Sequence, residues 1–515
     1  MPDSAETGQT CFRAALDATS RLWDDSGAAK PAQGRPALAG RKLEDYNRGM
    51  SLRRREFLAG GTLAIFSRAT LAAEPVFRPE DFGALGNGIA NDTSAFRRLA
   101  AEVNRRGGGV IALRPERTYV VGSQLPAGER WRPAPILEFS NLGMPLVVRG
   151  NGARLVAQAG LRFGTFDPRS GKRVDHALPY LDQSDLAFPY RAMIFIRDCR
   201  AAVQIRDLEL DGNLAELRIG GRFGDTGWQV PATGLLLTGN RGVEIVGNVY
   251  THDHGQDGAM FIGDAARAGR GTVTKLVSRR NGRQGLSITG GRGYDLVDCE
   301  FSQSARGRVS SAPAAGVDIE AESTPIEDVR FTRCSFVDNA ACGLVADSGD
   351  SRNLRFADCR FVGTTSWSAW PNKPGCRFSG CTFVGSVVHA FPDPDPSRAA
   401  QFLRCTFTDD PSLSPTRKVY TGGGPIVNLA QSENVLFDQC TFRLVASGLL
   451  PWSWKATYRD CRMTQRAATS ANPKGRYLGR TTIQGTVDLY GSMIQGTVVL
   501  NGRQVPRGAL GVPPW

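Results

Sequence analysis

Histidine is scarce in this chain, with four among 515 residues, and its eleven cysteines include no C-x-x-C pair. The second absence argues against a tetrahedral zinc site, which draws on closely spaced cysteine pairs. No sustained 3.6-residue apolar periodicity runs along the sequence, which disfavours a helical solenoid. No basic run of the kind that tracks phosphates lies outside residues 51–73, so a nucleic-acid partner is not expected. Hydrophobic residues at 41% and charged residues at 22% exclude wholesale disorder and a polytopic membrane protein. What is present is glycine, 60 residues with no G-X-Y period. That excludes collagen and points instead to many tight turns between short strands. The balance of 63 basic against 50 acidic residues, +13, leaves a polyanionic partner open.

The most specific local signal is SLRRREFLAGGTLAIFSRATLAA at residues 51–73. A basic region at Arg53–Arg55 precedes a short apolar stretch, and small residues follow at Ala69, Ala72 and Ala73. The stretch is too short to span a membrane and is interrupted by Arg68. Arg54-Arg55-Glu56-Phe57-Leu58 resembles a twin-arginine export signal, which implies a periplasmic or secreted mature chain. Residues 1–49 are then expected to be a non-native or disordered extension and residues 50–73 the signal. Removing 1–73 takes away 11 basic and 8 acidic residues, so the remainder, 52 against 42, stays at +10.

A tetrapeptide recurs in the second half: DCEF at Cys299, RCSF at Cys334, DCRF at Cys359, GCTF at Cys381, RCTF at Cys405, QCTF at Cys440 and DCRM at Cys461. The cysteines are 35, 25, 22, 24, 35 and 21 residues apart, a period that signals a stacked solenoid. Cysteine and the aromatic or Met two positions on share one strand face. They are expected to form inward ladders of small buried hydrophobes; a Cys376–Cys381 or Cys334–Cys342 bridge is compatible with the spacing but not implied by it. A second strand, led by Gly258, Gly285, Gly316 and Gly343, alternates inward and outward residues. Two or three short strands per turn without intervening helices predict an all-β parallel β-helix. A β-propeller would need four-stranded blades at about twice this period.

DFGALGNGIANDTSAF (Asp81–Phe96) and RRGGGVIALRPERTYVVGS (Arg105–Ser123) resemble the N-terminal segment of pectate-lyase-like right-handed β-helix proteins. Asn87 and Asn91 stand where acids are usual in that pattern. The resemblance implies a capping helix over Ser94–Arg105, with Asp92 or Thr93 as its cap, and a β-helix over residues 74–480. It does not select a chemistry, because such folds carry lyases, hydrolases, epimerases and binding proteins. IQGTVDL (Ile483–Leu489) and IQGTVVL (Ile494–Leu500) are expected to form a C-terminal strand cap over 481–515, or else a homo-oligomer contact.

In register, the outward positions of the glycine-led strands are Met260 and Ile262, Ser287 and Thr289, Asp318 and Glu320, Val345 and Asp347. Residues two apart on a strand lie about 6.6 Å apart and neighbouring turns about 4.8 Å apart. Asp318, Glu320 and Asp347 are therefore expected to form an acidic triangle on an exposed sheet. It would serve either as a catalytic acid and base pair of the inverting kind or as a calcium site. The competing reading is a solvated sheet face. THDHGQDG (Thr251–Gly258) holds His252, His254 and Asp257, and the next turn offers Arg283. His254 is placed with the catalytic acids, while His252, Asp257 and Arg283 are placed as substrate-binding groups. His252 and His254 alternate with Asp253 and are expected to share a face; the competing reading is a polar turn capping its own amides. Two insertions, Thr165–Arg191 and Leu214–Thr233, carry Tyr180 and Trp228 as expected sugar-stacking aromatics, with Trp367, Trp370, Trp452 and Trp454 as an extension. The G-H-G, N-T-D and R-I-K patterns of polygalacturonase-like hydrolases are absent.

Together these features predict an exported β-helix enzyme that cleaves a polysaccharide, an acidic one for preference, without nucleic acid or a membrane span. The alternatives are a uronate lyase or C5-epimerase with bound calcium, and a non-catalytic carbohydrate-binding or envelope protein.

Overall fold

The computed structural model describes residues 75–512, apart from 126–130, 132, 168, 176–185, 222–229, 265–269 and 323, with the side chains of 430–432 also left aside. The extension and the export signal expected over 1–73 lie outside these residues. Each coil contributes three short strands, and each strand pairs in parallel with its counterpart one coil away. The first ladder runs from Val76–Phe77 through Gly109–Ala112 to Arg330–Thr332, Arg355–Ala357 and beyond. The second holds Val277–Arg279, Glu300–Ser302, Ser335–Val337 and Arg360–Val362. The third holds Ala259–Ile262, Leu286–Arg292, Val317–Ile319, Leu344–Ala346 and Ala369–Pro371.

The repeated tetrapeptide is the corner between the first and second ladders. In all seven copies the residue before the cysteine is left-handed: Asp298, Arg333, Asp358, Gly380, Arg404, Gln439 and Asp460 have φ between 51° and 66°. One such residue turns the chain without a loop. The cysteine then faces inward, where its thiol donates to backbone carbonyl oxygens, as Cys334 does to Thr332 at 3.4 Å and to Leu296 at 3.5 Å. All ten described cysteines are free and buried, so neither conceivable bridge forms. The residue after next supplies the core. Phe336, Phe361, Phe383 and Phe407 stack with centroids 4.5, 4.8 and 4.9 Å apart. A second stack, Phe356, Phe378 and Phe402, stands against it on the first ladder. Aromatic stacks at this spacing bury large apolar area in fixed geometry.

Glycine leads the third-ladder strands for reasons of space rather than torsion. A Cβ on Gly285 would lie 2.6 Å from the Gly316 carbonyl oxygen, and one on Gly316 would lie 2.6 Å from that of Gly343.

The ends are closed differently. The single α-helix among the described residues, Thr93–Arg106, buries Phe96, Leu99 and Val103. Its Asn104 side chain donates to Glu138 O and accepts from Ser140 N, which satisfies the open edge of the first third-ladder strand. Neither expected cap acts as one: the Asp92 carboxylate accepts from the amides of Leu85 and Gly86, and the Thr93 hydroxyl accepts from Gly122 N. The Asn91 side chain takes the Thr93 amide instead. At the other end the expected pair of near-duplicate strands is not formed: the strand that enters Ile483–Leu489 stops at Gln484, and it is Arg480–Ile483 that continues the coils in parallel beside Thr497–Leu500. The chain then reverses, and Arg503–Gln504 and Gly508–Ala509 pair antiparallel on the last edge. No described helix is long and apolar enough to cross a membrane.

Candidate active site

The corner between the second and third ladders is polar where the other corner is apolar. It is formed by Asp253–Gly258 in one coil and Arg280–Gly285 in the next, and the long loop Gln303–Ala315 folds over it. That loop is held by Ser311 N donating to Gly282 O at 2.8 Å and by Arg283 Nε donating to Ala312 O at 3.2 Å. It occupies part of the 35-residue interval between Cys299 and Cys334.

Five side chains from three coils join into one hydrogen-bonded chain, which the loop meets at Arg283. Arg283 Nη1 donates to Asp257 Oδ2 at 3.1 Å. The Ser287 hydroxyl reaches the same Asp257 oxygen at 2.7 Å and also contacts the Gln284 side-chain oxygen. Gln284 Nε2 donates to Asp318 Oδ2 at 2.7 Å. All five are nearly or fully buried, and Asp257 Oδ1 has no hydrogen-bond partner. Burial pushes the Asp318 carboxyl up to about 8, and the neighbouring Glu320 charge pushes in the same direction against the pull of Arg283. Burial also raises the Asp257 carboxyl, against the pull of Arg283 and Ser287. Arg283 keeps its charge: Asp257 and Asp318 raise its pKa although burial opposes them. The site therefore holds a proton on a carboxyl group near neutral pH, which a carboxylic general acid requires.

The expected outward register is observed: Met260, Ser287, Asp318 and Val345 are successive partners in the third ladder. The exposed acidic triangle is not. Asp318 and Glu320 are 3% and 8% exposed, and each of the three acids has its own donor. Gln284 serves Asp318, the Ser348 hydroxyl serves Glu320 at 2.5 Å, and Asn372 Nδ2 serves Asp347 at 2.9 Å. Lys373 adds a buried ammonium, donating to Gly349 O at 2.8 Å with Asp347 and Glu320 among the charges acting on it; burial lowers its pKa. Gln284 and Lys373 escaped sequence reasoning, and Ser287 was placed in the outward column without a role. Gln284 and Ser287 flank the glycine of a third-ladder strand, a signal that was available. Lys373 follows the strand of a later coil and joins the site only by stacking.

The two histidines part company. Asp253 is left-handed, φ 55°, which breaks the alternation, so His252 and His254 do not share a face. His254 turns inward and is fully buried. Its Nδ1 meets the Tyr190 hydroxyl at 2.8 Å and its Nε2 meets Leu210 O at 3.2 Å, which places the ring proton on Nε2. Burial, reinforced by the His252 charge, lowers its pKa to about 3. Tyr190, at the end of the first insertion, therefore converts an expected catalytic histidine into a neutral core group. His252 stays on the second ladder among carboxylates, with Nδ1 2.6 Å from Asp253 Oδ2 and Nε2 3.1 Å from Glu209 Oε1. Tyr180 and Trp228 lie outside the described residues.

Among the described residues, the group of metal-capable donors that converges within 4.8 Å is Glu209, Asp211 and His252. Arg154 already bridges Glu209, at 3.1 Å, and Asp211, while Arg280 holds Asp253 at 2.6 Å. The group is an ion-pair network rather than an open cation site. The Asp318 cluster suits calcium no better, because its carboxylates are engaged separately and an ammonium stands beside two of them.

A family model described as "Right handed beta helix region" matches residues 192–388. The fold is a right-handed parallel β-helix. A curated relative, "Depolymerase 1, capsule KN3-specific" of Klebsiella phage KN3-1, is 25% identical over 359 residues, covering 60% of this chain and 39% of its own length. The chain thus spans well under half of that relative. The A-module of a mannuronan C-5 epimerase from Azotobacter vinelandii matches with 14% identity and TM-score 0.43, over 82% of this chain and all of that one. The N-terminal fragment of bacteriophage phi29 gene product 12 matches with 12% identity and TM-score 0.46, over 84% and 73% respectively. At these scores neither structural likeness bears on reaction or substrate.

Proposed function

We propose that this β-helix protein is an extracytoplasmic enzyme that cleaves the glycosidic bonds of a polysaccharide, an acidic one for preference, with Asp318 as proton donor. The observation that carries the reading is a buried carboxyl group on a rigid strand, oriented by Gln284 and flanked by a second carboxylate two residues on, with burial and the Glu320 charge both raising its pKa. The curated relative's description as a capsule depolymerase supports a polysaccharide substrate, and the export-signal resemblance at Arg54–Leu58 supports action outside the cytoplasm. In the hydrolytic step Asp318 gives its proton to the glycosidic oxygen as the bond to the anomeric carbon breaks. Glu320 takes a proton from the water that attacks that carbon, and the two carboxyls exchange roles of charge before the next turnover. Asp257, Ser287 and Gln284 act as positioning residues, and Arg283 balances the cluster's charge.

One observation favours elimination as a second reading. Lys373 is an amine with a lowered pKa beside Asp347 and Glu320, and it would take the C5 proton of a uronate while the C4–O bond breaks, the departing oxygen taking the Asp318 proton, to leave a C4–C5 double bond. A panel of acidic polysaccharides read for new reducing ends and for ultraviolet absorbance separates the two. Hydrolysis yields ends without absorbance, and elimination yields both. Asp318→Asn is expected to abolish the first outcome; full activity in that variant would sink the hydrolytic reading. A chain that produces neither signal on any polymer would be a binder.

A further inference from the structure

Third-ladder register carries one column of side chains away from the acid cluster. Asp318 pairs with Val345, Val345 with Trp370, Val388 with Asn428 and Asn428 with Trp452. Ala369 pairs with Val387, which places Trp370 beside Val388 and closes the series. Side chains in register on a parallel ladder point to the same side, so Trp370 and Trp452 stand on the face that carries Asp318. Five steps of about 4.8 Å put Trp452 about 24 Å from Asp318 along the axis, with Trp370 about 10 Å away.

Trp370 is half-buried against Ala315, Cys342 and Val345, whereas the other two tryptophans are not core residues. Trp452 and Trp454 are 47% and 43% exposed, two residues apart on one strand and hence on one face. Large apolar side chains are rarely left so exposed in neighbouring positions without a partner. Trp454 is backed by the Lys474 ammonium 5.1 Å from its ring centroid, and Asp488 holds that ammonium in place at 3.0 Å. Midway, Trp370 is set against His389 and Trp367, with centroids 5.4 and 5.6 Å away, so its ring orientation is held.

We propose that Trp370, Trp452 and Trp454 form a stacking track for a single polysaccharide chain that lies along the helix axis and reaches the Asp318 cluster at its other end. This rests on the polysaccharide reading above and adds to it where the chain lies and on which side of the reactive carboxyls it is gripped. Planar aromatic faces suit the apolar faces of sugar rings, and a rigid ladder holds them at fixed spacing without an ordering cost at binding. Long chains, which span the track, should therefore be held more tightly than oligomers that occupy only the acid cluster.

The test is affinity electrophoresis of the full chain carrying Asp318→Asn, so that the polymer stays intact. The gels contain alginate, polygalacturonate, hyaluronan or a Klebsiella capsular polysaccharide. At least one polymer should retard the parent. Trp452→Ala with Trp454→Ala should weaken that retardation about tenfold, the loss of a little over one stacking contact, while Trp452→Phe with Trp454→Phe restores most of it. Thermal melting confirms that the variants fold, since both residues are exposed. If the alanine pair migrates like its parent in a polymer that retards the parent, the track is wrong and the polysaccharide reading stands. If no polymer retards the parent, both fall together.

Discussion

Two charged clusters sit one ladder apart in this molecule, and their composition is nearly the same. On the second ladder, Glu209, Asp211, His252 and Asp253 meet Arg154 and Arg280. At the neighbouring corner, Asp257, Asp318 and Glu320 meet Arg283. The first cluster pairs its acids with two partly exposed arginines and is satisfied: hydrogen bonds from His252 and Arg280 outweigh burial and hold the Asp253 carboxyl down at about 2. The second has one arginine, already committed to Asp257, and one lysine, Lys373, on the side of Glu320 and Asp347, and burial raises the Asp318 pKa to about 8. Acid count does not distinguish a structural cluster from a reactive one. The ratio of acids to available cations, and the depth at which they are held, does.

Four experiments would break or sharpen that contrast. Asp318→Asn should lower turnover by about 10²–10⁴, the usual worth of a positioned general acid, while leaving the melting temperature equal or higher. A parallel loss of stability would mean that Asp318 is structural after all. Arg283→Met should cost about 3–5 kcal/mol by stranding Asp257, read by denaturant unfolding, and adding Asp257→Leu should return much of it. An unfolding midpoint unmoved by Arg283→Met would show that Asp257 is buried neutral and needs no cation.

The pH dependence comes next, with opposite signs for the two clusters. Asp318 has a folded pKa of about 8, above its unfolded value of about 3.9, so the folded state binds the extra proton between them and stability falls as pH rises through that window. Asp253 is the reverse: its contribution is present above about pH 4 and is lost as pH falls toward 2. His252, raised by its carboxylate neighbours, adds stability below its unfolded value of about 6.5 that fades as pH rises through its folded value. Melting temperature should therefore decline from pH 5 to 8, and Asp318→Asn should flatten most of that slope without touching the acid limb; an unchanged slope would contradict the protonated Asp318. The smallest effect belongs to Glu209→Gln. It should leave turnover within about threefold and cost no more than about 1 kcal/mol, as expected of a partly exposed ion pair. A large loss of turnover would move the reactive centre to the second ladder.

Much of this is legible in the amino-acid sequence. The register that aligns Met260, Ser287, Asp318 and Val345 follows from alternation after a leading glycine, because the strand period of two admits no other inward set once the core face is known. Asp257, Arg283, Asp318 and Glu320 were read as functional and are brought together. Asp347 was read into the same triangle and instead pairs with Asn372 one coil away. His254 failed for a local reason and a distant one. A single left-handed residue, Asp253, reversed its direction, and Tyr190, 64 residues earlier, covered it.

The amino-acid order alone determined the solenoid, its period and its inward ladders, because each depends only on which residues recur at which spacing along one strand. Tertiary structure alone decided which carboxyl group keeps its proton. Depth between coils, and the assignment of one arginine among three acids, are properties of stacked coils, and neither burial nor charge pairing between coils is written in the spacing of residues along one of them.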